Sequence, residues 1–240
     1  VAPVISFAER HRERARDRAR LRARDRAPAG ALRDYLSAAP PTRTTPLGEL
    51  PLLALDFETT GLDARDAHIV SIGWVPVDGR AIRLDGARRL IVRPAAEVGE
   101  SAVVHGLTDD VVGAGVALES ALDQVLAALT GRLLLAHHSV IETDFLASAC
   151  RQVYGEAPRL ASVDTLLLQE RVVTTTLPHG QEPPPGSLRL WAARARYGLP
   201  TYRAHDALVD AIACAELYLA QTAELGAGRE LLARHVVARR

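Results

Sequence analysis

The residues that invite chemistry begin with Asp56 and Glu58 in the run Leu52-Leu53-Ala54-Leu55-Asp56-Phe57-Glu58-Thr59-Thr60-Gly61-Leu62. Strand residues two apart share a face, about 7 Å apart along the backbone, so both carboxylates point the same way at the end of a buried apolar run. Acids placed together repel, and no Arg within the run neutralises them. A divalent cation removes the conflict, because hard cations such as Mg²⁺ take oxygen ligands. Two separately solvated acids at a strand end are the plainer alternative. The second candidate is His205-Asp206-Ala207-Leu208-Val209-Asp210. Within one helix, residues five apart point about 140° away from each other. His205 and Asp210 therefore share a target only if the helix starts near Asp206 and His205 folds back from the preceding loop. An imidazole there, neutral near pH 7, is a base beside a metal ligand; a capping or surface histidine is the alternative.

The elements that must position these groups follow from hydrophobic pattern. Residues 52–59 read as a buried strand ending in a polar turn, and Ile69–Val77 as a second. Ala81–Leu84 with Leu90–Val92 reads as a third strand with a turn between, joined by antiparallel hairpins at Gly79 and Gly86. Leu118–Leu129 has helical spacing with Gly131 as its stop, and the all-apolar run Leu133–Ala136 suits a parallel central strand. His137–Leu146 leads into another helix. Ala161–Leu168 reads as a short strand entering a helix, with Asp164 near the strand end. The proline-rich stretch Leu177–Ser187 excludes regular structure and reads as a mobile surface loop. Helices are expected at Leu188–Tyr197 and from Asp206 to about Leu225, with a last short one at Glu230–Val237. The sum is an α/β protein with a mixed five-stranded sheet flanked by helices and an N-terminal helical arm.

The net charge of zero hides a split. Residues 1–48 hold eleven Arg and five acids, a net of +6, which leaves −6 on the remaining 192 residues. From Arg10 to Arg26 an Arg occupies every even position, a spacing that wraps around a helix and predicts a polar, solvated arm; a nucleic-acid or partner-binding arm is the alternative. Leu32, Tyr35 and Leu36 follow at helical spacing and suit docking on the body. The expected division is a basic arm and linker at 1–48, one catalytic domain at 49–225 and a helical tail at 226–240. Cys150 and Cys214 have neither metal spacing nor a disulfide framework, which suits a reducing cytoplasm. No apolar run is long enough to span a membrane.

Asp56-x-Glu58 with Thr59-Thr60-Gly61-Leu62, then His105-Gly106-Leu107-Thr108, then His137–Leu146, then His205-x4-Asp210, together resemble the ordered motifs of the DEDDh 3′→5′ exonucleases. That family includes the proofreading epsilon-like subunits of bacterial replicative polymerases. The resemblance spans about 50–222 and implies a ribonuclease H-like fold. It also implies two divalent cations, Mg²⁺ or Mn²⁺. Asp56, Glu58 and Asp210 would bind the first, Asp56 would be shared with the second, and His205 would be the general base. It places Thr59, Leu62 and His105 near the terminal nucleotide of a single-stranded or 3′-ended nucleic acid, with a DNA polymerase as a further partner. The second motif departs from the family's usual His-Asn-x-x-Phe-Asp: here His138 replaces the Asn contact, Ile141 the Phe, and Glu142 stands where the third acid belongs. Glu keeps the charge and adds a methylene. Asp144 is the alternative ligand, and the two point about 200° apart on a helix, so one of them faces the site. The altered motif also admits a catalytically impaired module that binds nucleic-acid ends or a polymerase, and RNA as substrate stays open. Oligomeric state is not legible.

Overall fold

The computed structural model describes residues 7–93, 114–178 and 181–238, without the side chains of 7–10 and 12. His105 lies outside the described residues. The sheet is built on β1 (Pro51–Thr59), which pairs antiparallel with β2 (Ile69–Asp78) and parallel with β5 (Leu133–Ala136). β6 (Ser162–Asp164) lies parallel outside β5. On the far side of β2, β3 (Ala81–Ile82) and β4 (Arg88–Ile91) pair with different stretches of the same edge. The expected third strand is thus two pieces, separated where Leu84–Gly86 forms a single 3₁₀ turn. Among the described residues, six strands fill five positions of a mixed sheet.

Seven α-helices flank it among the described residues: α1 (Phe7–Arg26), α2 (Ala31–Ser37), α3 (Leu118–Leu129), α4 (Val140–Tyr154), α5 (Thr165–Thr176), α6 (Leu190–Arg196) and α7 (Ala207–Gly226). The two-residue period of β1 sorts its side chains between two cores. Leu53, Leu55 and Phe57 join Leu32 and Leu36 of α2, Leu122 and Leu126 of α3 and Phe145 of α4. Leu52 and Ala54 join Val163, Leu168 and, on α7, Cys214 and Tyr218. Parity then carries Asp56 and Glu58 onto the α7 side.

The arm departs from a simply solvated helix. Ala23 and Ala27 are buried, Arg26 pairs with Glu156, and the Arg20 guanidinium donates to the carbonyls of Leu36 and, at 3.1 Å, Ala38. Small alanines let the end of α1 sit close to α2, while Arg24 and Arg26 between them turn to the carboxylates of Asp25 and Glu156. The tail also differs from expectation. Instead of a helix over 230–237 it forms one 3₁₀ turn at Ala233–His235, and β-branched Val237 then bridges Val163 of the β6 edge. The described residues of 177–187 contain turns only.

One glycine decides how closely α7 approaches the sheet. Gly73 faces Asp56 across the β1–β2 ladder, and a Cβ built on it would lie 2.1 Å from both the carbonyl carbon of Ala207 and the nitrogen of Leu208. No side chain fits between β2 and the first turn of α7. Gly73→Ala is therefore expected to push backbone against backbone, at about 1–3 kcal/mol for overpacking. In a chain of this size that lowers the melting temperature by about 3–10 °C, read by thermal denaturation. An unchanged melting temperature would show that the helix moves aside without loss.

Candidate active site

β1 delivers the first two acids. Between Glu58 and Thr59 the pairing with β2 shifts register, so that Thr59 meets Ile69, and Thr59 Oγ1 donates to the Gly61 carbonyl at 2.6 Å, turning the chain outward. Leu62 beyond the turn is 85% exposed. α7 delivers the third acid. Its N-cap is Asp206, whose carboxylate accepts from the N–H groups of Leu208 and Val209 at 3.1 and 3.3 Å. Arg89 of β4 holds the other oxygen of that carboxylate at 2.8 Å, tying the helix start to the sheet edge. His205 precedes the cap with φ of 68°, a left-handed conformation unfavourable for a residue with a side chain. That conformation turns its N–H onto Asp210 Oδ2 at 2.9 Å. The loop folds back on the first turn of α7 and leaves the His205 side chain exposed beside Asp210.

The result is a cluster in which one carboxylate oxygen each from Asp56, Glu58 and Asp210 lie within 4.8 Å of one another. Glu142 is outside that mutual distance, yet it is buried, and its charge acts on Asp56 more strongly than that of Asp210 or Glu58. Burial first, then the charges of Glu142, Asp210, Glu58 and Asp206, hold the Asp56 carboxyl well above the usual range. Burial also raises Asp210, against the lowering effect of the His205 N–H and imidazole. Four acids with only oxygen donors to offer, three of them making Asp56 harder to ionise, fit hard divalent cations.

Glu142 is set close behind this cluster by a β5–α4 turn that is anchored from beneath. Asp164, buried at the end of β6, accepts from the N–H groups of His138 at 3.0 Å and Ser139 at 2.9 Å, from Ser139 Oγ at 3.1 Å and from the N–H of Leu166 at 2.9 Å. His138 adopts φ of 70° to present its N–H, and its side chain is exposed. Asp144 points away: it is exposed and lines a separate cavity with Arg16 and Arg20 of the arm. The neighbouring His137 is held by its surroundings. Burial pushes its imidazole down to about 4, and its Nδ1 lies 2.9 Å from Thr165 Oγ1.

Residues 53–218 match the family described as Exonuclease, RNase_T. The chain belongs to this exonuclease family. Among its relatives are a PolC-type DNA polymerase III of Thermotoga maritima, 29% identical over 72% of this chain, and a DNA polymerase III subunit epsilon of Treponema pallidum, 26% identical over 69% of this chain and 73% of the relative. The chain spans only 12% of the PolC-type protein. Solved structures with the same fold include cell-death related nuclease 4, with a TM-score of 0.59 and 17% identity over 75% of this chain and 65% of that one. Exonuclease I of E. coli, solved in complex with a dT13 oligonucleotide, has a TM-score of 0.58 and 15% identity over 74% of this chain and 42% of that one. The sheet order and flanking helices are those of a ribonuclease H-like exonuclease domain.

Three residues that hold the exonuclease site differ in how far the sequence signals them. Gly73 interrupts an otherwise apolar strand, a sign of close backbone approach. Asp164 precedes a helical run, as an N-cap does. Arg89, one of several surface arginines, had no distinguishing signal.

Two expectations follow. Asp164→Ala strips one buried carboxylate of four hydrogen bonds and removes the cap of α5, so stability is expected to fall by about 3 kcal/mol in denaturant titration. A loss under 1 kcal/mol would show that the turn holds without it. The second concerns pH. A carboxyl whose pKa is raised on folding favours the folded state below its unfolded value, and that contribution is lost as pH climbs through the folded value. Asp56 and Asp210 are both raised above 3.8. The metal-free domain should therefore lose melting temperature as pH rises from about 4, and added Mg²⁺ should restore more at each higher pH. A flat metal-free profile, insensitive to Mg²⁺, would mean the acids are individually solvated.

Proposed function

We propose that this exonuclease domain is a metal-dependent 3′→5′ exonuclease that hydrolyses phosphodiester bonds at the 3′ ends of single-stranded nucleic acid, DNA in preference to RNA, releasing nucleoside monophosphates. The observation that carries this reading is the His205 N–H to Asp210 Oδ2 bond, which sets an exposed imidazole beside three converging carboxylates. Asp56, Glu58 and Asp210 would hold one cation, and Asp56 with Glu142 a second. Two bound Mg²⁺ or Mn²⁺ ions would polarise the phosphodiester, ease ionisation of the attacking water and steady the leaving oxygen.

The chain's own groups account for the rest. His205 accepts the proton of the attacking water and, being exposed, returns it to solvent. The water oxygen bonds to phosphorus as the bond to the neighbouring 3′-oxygen breaks, so the terminal nucleotide departs with its 5′-phosphate. Thr59, Leu62 and His105 are assigned to contacts with that nucleotide by family resemblance, and His138, exposed just before α4, stands at the position of the family's Asn. Burial of Glu142 near Asp56 supports retained catalysis over an impaired binding module. A DNA polymerase partner rests on the relatives' names, and a cytoplasmic location on their role in replication. No helix among the described residues is long and apolar enough to cross a membrane.

Single-stranded and 3′-recessed oligonucleotides, as DNA and as RNA, incubated with Mg²⁺, Mn²⁺ or EDTA, test the reading. Stepwise shortening from the 3′ end is expected with metal only, faster on DNA. Asp56→Ala, His205→Ala and Glu142→Ala should each lower kcat by about a hundredfold or more in folded protein, while Asp144→Ala keeps its rate. Folded wild-type protein that shortens no substrate would overturn the proposal.

A further inference from the structure

A fifth carboxylate, Asp206, acts on the acid cluster without being one of the three that converge within 4.8 Å. Burial leads the causes that hold the Asp56 and Asp210 carboxyls up, and the charge of Asp206 contributes to both. The repulsion is mutual, and it works against the duty Asp206 has in the fold, which is to stay over the N–H groups of Leu208 and Val209 and cap α7. His205 depends on that cap. It enters the helix start at φ of 68° and keeps that unfavourable conformation with the bond from its N–H to Asp210, one turn beyond Asp206. A cap that swung away would release the turn from which the imidazole is presented.

Arg89 answers the repulsion. It lies opposite Gly73 on β2, and Gly73 lies opposite Asp56 on β1, so the three occupy one row across the sheet on the α7 face. Two strand spacings put the Arg89 backbone about 10 Å from that of Asp56. The middle position, having no side chain, admits the first turn of α7, and Arg89 reaches that turn from the outer strand. Its guanidinium meets the Asp206 oxygen that does not cap, at 2.8 Å, and its Nε donates to the hydroxyl of buried Ser71 at 3.4 Å. The carboxylate is thereby divided, one oxygen for the helix N–H groups and the other for Arg89.

Resting on the exonuclease reading above, we propose that Arg89 is a positioning residue of the site: by holding Asp206 on its cap against the repulsion of the neighbouring acids, it keeps His205 folded back onto Asp210 with its imidazole beside the converging carboxylates. Arg89 acts through Asp206 and not on the substrate. Without it, Asp206 has like charges to move away from in the metal-free site and, once divalent cations are held, a charge to move toward. Both motions unseat the cap. Asp206→Asn keeps a side chain that caps as well as aspartate but carries no charge, so it feels neither pull. Loss of Arg89 is therefore harmful beside the aspartate and close to harmless beside the asparagine.

The test uses the full chain as wild type, Arg89→Gln, Asp206→Asn and the double variant. Amide hydrogen exchange in EDTA, read residue by residue by NMR, is expected to show protection of the His205 N–H falling about tenfold in Arg89→Gln, while amides in the middle of β1 keep theirs. With Mg²⁺ and a dT12 oligonucleotide, the same variant should lose about tenfold in kcat with a much smaller change in KM. The double variant should recover most of the protection and most of kcat, a coupling that a general loss of stability does not produce. Unchanged His205 protection in Arg89→Gln overturns the proposal, as does lost protection with an unchanged kcat in a protein that hydrolyses dT12. A double variant as impaired as Arg89→Gln also overturns it, since Arg89 would then act on the substrate or on the sheet edge. Where wild-type protein hydrolyses nothing, the exonuclease reading falls, and exchange alone decides whether Arg89 holds His205 through Asp206.

Discussion

Like charges held where they repel one another are the constraint on which the rest of this structure depends. Asp56, Glu58 and Asp210 converge within 4.8 Å and Glu142 is buried close behind, so the Asp56 carboxyl resists ionisation under burial and the charge of the others. Left to themselves, the segments bearing them would separate. Each is restrained by something else: Asp56 and Glu58 by a strand buried on both faces, Asp210 by a helix whose backbone touches β2 at Gly73, and Glu142 by a turn fixed on Asp164. The scaffold spends its best-ordered contacts on keeping an unfavourable charge arrangement in place. That is the expected condition of a site shaped for cations and phosphate rather than for stability.

Much of this was legible in the sequence because it rests on local periodicity. The alternation through 52–59 places both acids on one face, and the helical register of 142–146 separates Glu142 from Asp144; the fold bears out both. His205 was readable only conditionally, since its reach to Asp210 depends on where α7 begins. Asp206 acts as the cap, so the condition is met. What the sequence left obscure lies in contacts between distant elements. The anchoring of His138 and Ser139 by Asp164 spans about 25 residues, and the pairing of Arg89 with Asp206 joins a strand edge to a helix start. Neither has a periodic signature.

The arm shows the same limit from the other direction. Its alternating arginines suggest a helix wrapped in water, because charge spacing is visible and shape fit is not. Ala23 and Ala27 are inconspicuous in composition, but they are the residues through which α1 meets the body, with Arg20 and Arg26 turned to carbonyls and to Glu156. A basic segment is therefore partly structural here, and its charge count overstates what it has left to offer a polyanion.

The tail has a consequence of a different kind. Residues 231–234 are laced to 43–47 by backbone bonds from Leu47 to Leu231, from Ala233 to Thr45 and from Arg234 to Arg43, and the chain then runs on so that the Ala238 N–H meets the Ser162 carbonyl on the outer side of β6. That strand would otherwise present unpaired backbone to solution, an invitation to self-association through added strands. By lying along it, the last described residues act as a guard rail for the sheet, protecting the molecule against aggregation at the margin where three residues of strand could not defend themselves.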